Sequence, residues 1–167
     1  TLALTTRANV QANFTPDKLA GCPPLLVNFT NTSSPGNLNY RWDFGNGNSS
    51  TLANPSAMFL TSGTYKVVLI VNNGVQADSM EQEITVFQLP QVDFTAPFIN
   101  ACEQDTVEFV SNVIPGSAPI TDYAWGFGDG IASSDVDATH IYAQPGLYDI
   151  TLVVQDDNNC TANKTKH

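Results

Sequence analysis

Tyr40-Arg41-Trp42-Asp43-Phe44-Gly45-Asn46-Gly47 is matched later in the chain by Tyr123-Ala124-Trp125-Gly126-Phe127-Gly128-Asp129-Gly130. A second pair of phrases, Gly63-Thr64-Tyr65 and Gly146-Leu147-Tyr148, follows at the same distance and leads into a β-branched run. A repeat this regular means two copies of one unit, each of roughly 80 residues and near the small end for a self-sufficient core. What the copies share is aromatic and glycine positions rather than reactive side chains. That favours a scaffold or binding module over an enzyme.

Working outward from these phrases, apolar residues alternate with period two, and helical periodicity is nearly absent. In the first copy the alternation predicts strands at 10–14, 25–29, 40–44, 57–59, 65–71 and 83–87, with a hairpin turn at Asn72-Asn73-Gly74. In the second copy it predicts 92–94, 106–110, 123–127, 141–142 and 148–154, and a last strand starting near Cys160. Because the sequence stops at His167, the second copy is expected to be truncated at its last strand, or the sequence to be a fragment of something longer. Leu89-Pro90 marks the boundary, since proline interrupts a strand. The organisation is thus a lead-in at 1–8 (signal-peptide remnant or linker), one unit at 9–88 and a second at 89–167. So short a linker predicts units set end to end and stiffly. About seven short strands per unit describe tandem all-β, immunoglobulin-like seven-strand sandwiches. Trp42 and Trp125 are the core anchors. Burying each ring removes roughly 150–250 Å² from water, about 4–6 kcal/mol gross. Tyr65 and Tyr148 are expected to be tyrosine corners, their hydroxyls returning to nearby backbone.

The formal charge is −10, and no Lys or Arg lies between Lys66 and Lys164. Such a surface repels phosphate backbones and anionic lipid, which argues against nucleic-acid and membrane partners. Acidic side chains also keep an all-β chain from associating through its strand edges. Of three cysteines, Cys22 and Cys102 occupy equivalent places in the two copies, and Cys160 has no counterpart in the first. A Cys102–Cys160 bridge would close a loop of nearly the whole second unit, worth roughly 4 kcal/mol in the chain-entropy model. It would also place the chain in an oxidising compartment. The alternative is three buried thiols in a reducing one. Cys22 is left without an assigned partner, and the spacing does not make a zinc site.

Both copies resemble PKD domains, the modules named from polycystin ectodomains. The resemblance rests on Trp42-Asp43-Phe44-Gly45-Asn46-Gly47, Asn54-Pro55-Ser56 with Phe59, and Ser62-Gly63-Thr64-Tyr65 in the first copy. In the second it rests on Trp125-Gly126-Phe127-Gly128-Asp129-Gly130, His140 with Tyr142, and Pro145-Gly146-Leu147-Tyr148. It is similar in flavour to PKD arrays on surface and secreted proteins of gliding Bacteroidetes. The resemblance implies extracellular display, adhesion, or spacing of another domain. The Asp-x-Asp-Gly type of loop that binds calcium in PKD domains of bacterial collagenases corresponds to 31–36 and 111–116. Neither stretch offers the carboxylates a hard cation wants, so no calcium ligand is assigned. Each copy keeps one of two turn carboxylates, Asp43 and Asp129, expected to accept hydrogen bonds from backbone amides.

Other chemistry has thin support. His140 can be written with Ser133, Ser134 and Asp137 as a triad, but short loops leave no cleft for it. The alternating carboxylates Asp135 and Asp137 read as a solvated loop, as does the turn at 156–159. Phe59 and Tyr142, with Phe87 and Phe98, are candidate sugar-binding aromatics, set against inward packing. Ser79 and Thr106 fit an acidic–hydroxyl–apolar pattern for O-glycans used by Bacteroidetes. The expected function is a non-catalytic extracellular spacer or adhesion module giving a stiff rod. Its partners would be a cell-surface protein or glycan and the neighbouring domains of a longer chain. The alternative is a carbohydrate-binding accessory module of a secreted polysaccharide-degrading enzyme.

Overall fold

A computed structural model of the chain describes residues 9–96 and 106–167. The expected lead-in at 1–8, Phe98 and Cys102 lie outside the described residues. The chain divides into two compact units that meet between Val86 and Phe87. Every regular element among the described residues is a strand.

In the first unit, one sheet joins β1 (Phe14–Pro16), β3 (Leu25–Asn31) and β6 (Ser56–Phe59). The other sheet has the order β2-β8-β7-β4-β5. Its strands are β2 (Ala20–Gly21), β4 (Asn39–Asp43), β5 (Ser49–Ser50), β7 (Gly63–Asn72) and β8 (Ala77–Val86). Alternation does the sorting: Leu25, Val27 and Phe29 point inward from β3, while Val67, Leu69 and Val71 point inward from β7. Residues 10–13 are not in a ladder, although Val10 and Ala12 are buried. Their amides go to side chains instead, Ala12 N–H to Asp78 Oδ2 at 2.8 Å and Gln11 N–H to Ser34 Oγ at 3.0 Å. The two-residue β2 pairs parallel to β8, a feature too short for alternation to reveal.

In the second unit, β9 (Gln91–Thr95), β10 (Thr106–Ile114) and β13 (Ala138–Ile141) form one sheet. The other has the order β12-β11-β14-β15, from β11 (Ile120–Gly126), β12 (Ala132–Ser133), β14 (Ile150–Asp156) and β15 (Thr161–Lys166). A missing last strand is not what the structure shows. β15 is present and pairs with β14 from Gln155↔Thr161 to Ile150↔Lys166. β14 begins at Ile150 rather than at Tyr148. In the first unit β8 supplies partners as far as Gly63↔Val86, whereas β15 supplies none before Ile150.

Each unit has its own core around one indole. Trp42 and Trp125 are 0% and 1% exposed. Phe14 meets Trp42 edge-on at 5.0 Å, and Phe94 meets Trp125 edge-on at 5.2 Å. The indole N–H donates to Leu52 O in one unit and to Asp135 O in the other, both at 2.9 Å. Burial of so large a ring thus leaves no unmade hydrogen bond at its polar end.

Candidate functional site

The repeated phrase ends in a Gly-rich turn whose polar residues hold the turn itself. Asp43 Oδ1 accepts from Gly45 N–H at 2.9 Å, and Asn46 Oδ1 accepts from Asn48 N–H at 3.0 Å. Gly45 has φ 71°. A Cβ there would also stand 2.7 Å from Lys66 O, so glycine is required on two counts. In the second unit Asp129 Oδ1 accepts from Ile131 N–H at 3.1 Å. Gly126 stands where Asp43 does, and that cap has no counterpart.

The second unit adds a polar cluster that the first lacks. Asp129 replaces Asn46, His140 replaces Ala57, and Tyr142 replaces Phe59. His140 Nε2 lies 2.7 Å from Asp129 Oδ2. The imidazole stacks parallel on Phe127 at 4.3 Å and meets Tyr142 edge-on at 4.5 Å. Tyr142 stacks on Tyr148 at 4.2 Å, and its hydroxyl donates to Phe127 O at 3.0 Å. Burial pushes the Tyr142 phenol up to about 12, with the Asp129 charge adding to it. Burial also opposes charge on Asp129. The Ile131 amide and the His140 ring outweigh it and hold the carboxyl below its ordinary range. In the first unit Asn46 Nδ2 donates to Met58 O at 3.1 Å, and Phe59 and Tyr65 pack at 4.7 Å. The pair of changes from Asn46 and Ala57 to Asp129 and His140 was visible in the aligned copies.

A carboxylate orienting an imidazole supplies two members of a nucleophilic triad, but no serine completes it among the described residues. Ser133 Oγ goes to Asp135 Oδ2 at 2.7 Å, and Asp137 Oδ1 accepts from Ser111 N–H at 2.8 Å. Asp135 and Asp137 have separate partners and do not converge. No group of three His, Cys, Asp or Glu side chains suited to a metal occurs among the described residues. Nor does any helix there have the length and apolarity to cross a membrane.

The PKD domain family matches this sequence twice, over residues 8–87 and 88–167. The chain belongs to the PKD domain family. The pre-pro-metalloprotease PrtV of Vibrio cholerae serotype O1 is 32% identical over 153 residues, 89% of this chain and 16% of PrtV. Collagenase ColQ1 of Bacillus cereus strain Q1 is 30% identical over 89 residues, 53% of this chain and 9% of the collagenase. The chain therefore spans less than a fifth of either relative. An I-band fragment from titin superposes with a TM-score of 0.50 at 14% identity, covering 96% of this chain and 65% of the fragment. That is a likeness of fold alone.

Tyr65 Oη donates to Thr61 O and Tyr148 Oη to Gln144 O, both at 2.8 Å and both four residues back. Phe59 is fully buried, which removes it as a surface aromatic. It is an inward residue of β6, and Tyr65 closes over it. Tyr142 is half-buried, with its ring stacked on Tyr148 and its hydroxyl donating to Phe127 O. Ser79 on β8 and Thr106 on β10 are exposed, with Val107 and Phe109 buried beneath the latter. Cys160 is fully buried and disulfide-bonded, and Cys22 is disulfide-bonded too. Cys102, the partner expected for Cys160, is outside the described residues.

One open cleft of about 500 Å³ lies in the first PKD domain. Asn9 and Val10, the loop residues Asn37 and Leu38, and Asn73 and Gln76 of the β7–β8 hairpin are among its walls. Among the described residues no charged side chain lines it.

Proposed function

We propose that this pair of PKD domains is a non-catalytic spacer and adhesion segment of a larger extracellular protein. It would work beside other domains and face a cell-surface protein or glycan. One observation carries the reading. The side chains that could do chemistry, Asp43, Asp129, Ser133, Asp137 and His140, are each tied into bonds that hold a turn or loop. The relatives support a modular role, since a metalloprotease and a collagenase each match this chain over a small part of their length. A disulfide fits an oxidising compartment. Ser79 and Thr106 are the proposed O-glycan acceptors, both on outward strand positions.

The glycan-binding accessory reading keeps one observation in its favour, the cleft of the first domain, which is rich in carboxamides among the described residues. Carboxamides both donate and accept, as sugar hydroxyls require. A glycan array run with the whole chain and with Asn37→Ala and Gln76→Ala variants separates the two. Binding that both variants abolish favours the accessory module. Silence across the array, with independent opening of the two domains under load, favours the spacer.

A further inference from the structure

The first strand of each domain is fastened by a serine in the loop that leads to the tryptophan strand. In the first domain Gln11 N–H donates to Ser34 Oγ and Ser34 N–H donates to Gln11 O, both at 3.0 Å. In the second, Gln88 N–H donates to Ser117 Oγ at 2.7 Å and Ser117 N–H donates to Gln88 O at 3.0 Å. Each clasp continues the register of its ladder, β1 with β3 and β9 with β10. The position differs. Gln11 stands three residues before Phe14, inside the domain, while Gln88 stands six before Phe94, in the linker. The loops account for this: sixteen positions separate Phe109 from Trp125, against thirteen between Phe29 and Trp42. Those three extra residues lengthen the ladder to Ile114↔Gln91 and carry the serine out beyond it.

Gly116 makes the approach feasible. A Cβ there would lie 2.0 Å from Gln88 O and 2.7 Å from Leu89 C, closer than a side chain can come to backbone. Pro90, between clasp and ladder, is buried.

We infer that Gly116 and Ser117 form a latch that fastens the interdomain linker to the second domain, making residues 88–90 the start of its first strand rather than a free connector. The latch removes the backbone freedom that a four-residue joint would otherwise have. A pull along the chain then meets two hydrogen bonds in the linker before it reaches β9. This bears on the spacer reading, but the latch is tested on its own by amide exchange, whatever the parent protein does.

The experiment is residue-resolved hydrogen–deuterium exchange by NMR on the full chain. The Gln88 amide is expected to be protected in the wild type and to exchange at least tenfold faster in Ser117→Ala. The melting temperature of the second domain should stay within about 2 °C, a surface-sized change. Ser117→Thr, which keeps the hydroxyl, restores protection, and Ser34→Ala exposes Gln11 but not Gln88. Gly116→Val opens both bonds of the latch. An unprotected Gln88 amide in the wild type, or equal protection in Ser117→Ala, would overturn the inference. So would a threonine variant as open as the alanine one.

Discussion

Trp42→Phe isolates the central structural claim, that each PKD domain is held by its own buried indole. The change removes two ring carbons and the indole nitrogen from a fully buried site, and at about 0.8 kcal/mol per buried carbon the carbons account for about 1.6 kcal/mol. It also deletes the 2.9 Å bond to Leu52 O, worth about 0.5–1.5 kcal/mol. The sum is about 2–3 kcal/mol, charged to the first domain alone. For a domain of this size 1 kcal/mol moves the melting temperature by about 4–8 °C, so the first transition should fall by about 8–24 °C. The assay is differential scanning calorimetry, read beside fluorescence of Trp125, which then reports only on the second domain. Trp125→Phe should give the mirror result. A first transition lowered by less than about 4 °C, or both transitions lowered together, would refute the reasoning. The first outcome would mean that the indole is not the anchor, and the second that the cores are not separate.

Phe59→Ala should destabilise the first domain by about 3–5 kcal/mol in chemical denaturation, while its exposed neighbour Met58→Ala stays within about 0.5 kcal/mol. Similar small effects for both would put Phe59 back on the surface. The Asp129 carboxyl is held below its ordinary range in the folded state, so the unfolded chain takes up its proton first as pH falls. Its stabilising share is therefore full above about pH 4, and it is lost as pH drops through the folded value. Asp129→Asn should flatten that acid limb for the second domain, and an unchanged acid limb would contradict the assignment. Peptide mapping of the unreduced chain should find Cys160 in a disulfide and inert to alkylation. Stoichiometric labelling of Cys160 before reduction would count against the oxidising compartment.

The fold was legible because it depends on residues that repeat. Trp42 and Trp125, the alternating β7 and β14, and the tyrosine corners are all set by period and spacing, which a sequence displays directly. Phe59 shows where such reading stops. In an alternating strand, one register puts Phe59 inside and the neighbouring register puts Met58 inside. Only the cross-sheet packing decides between them. The polar cluster of the second domain was half legible: Asp129 and His140 are eleven residues apart and look unrelated until the turn brings them within 2.7 Å. The Gln88–Ser117 latch was the least visible. Backbone amides carry no sequence signature, and the three-residue difference in loop length is meaningful only once the register is known.

Single-molecule pulling of the whole chain in reductant tests the spacer account most directly. Two separate opening events are expected, each releasing roughly 80 residues, about 26–29 nm of extended chain at 3.3–3.6 Å per residue. One cooperative event of about twice that length would contradict it.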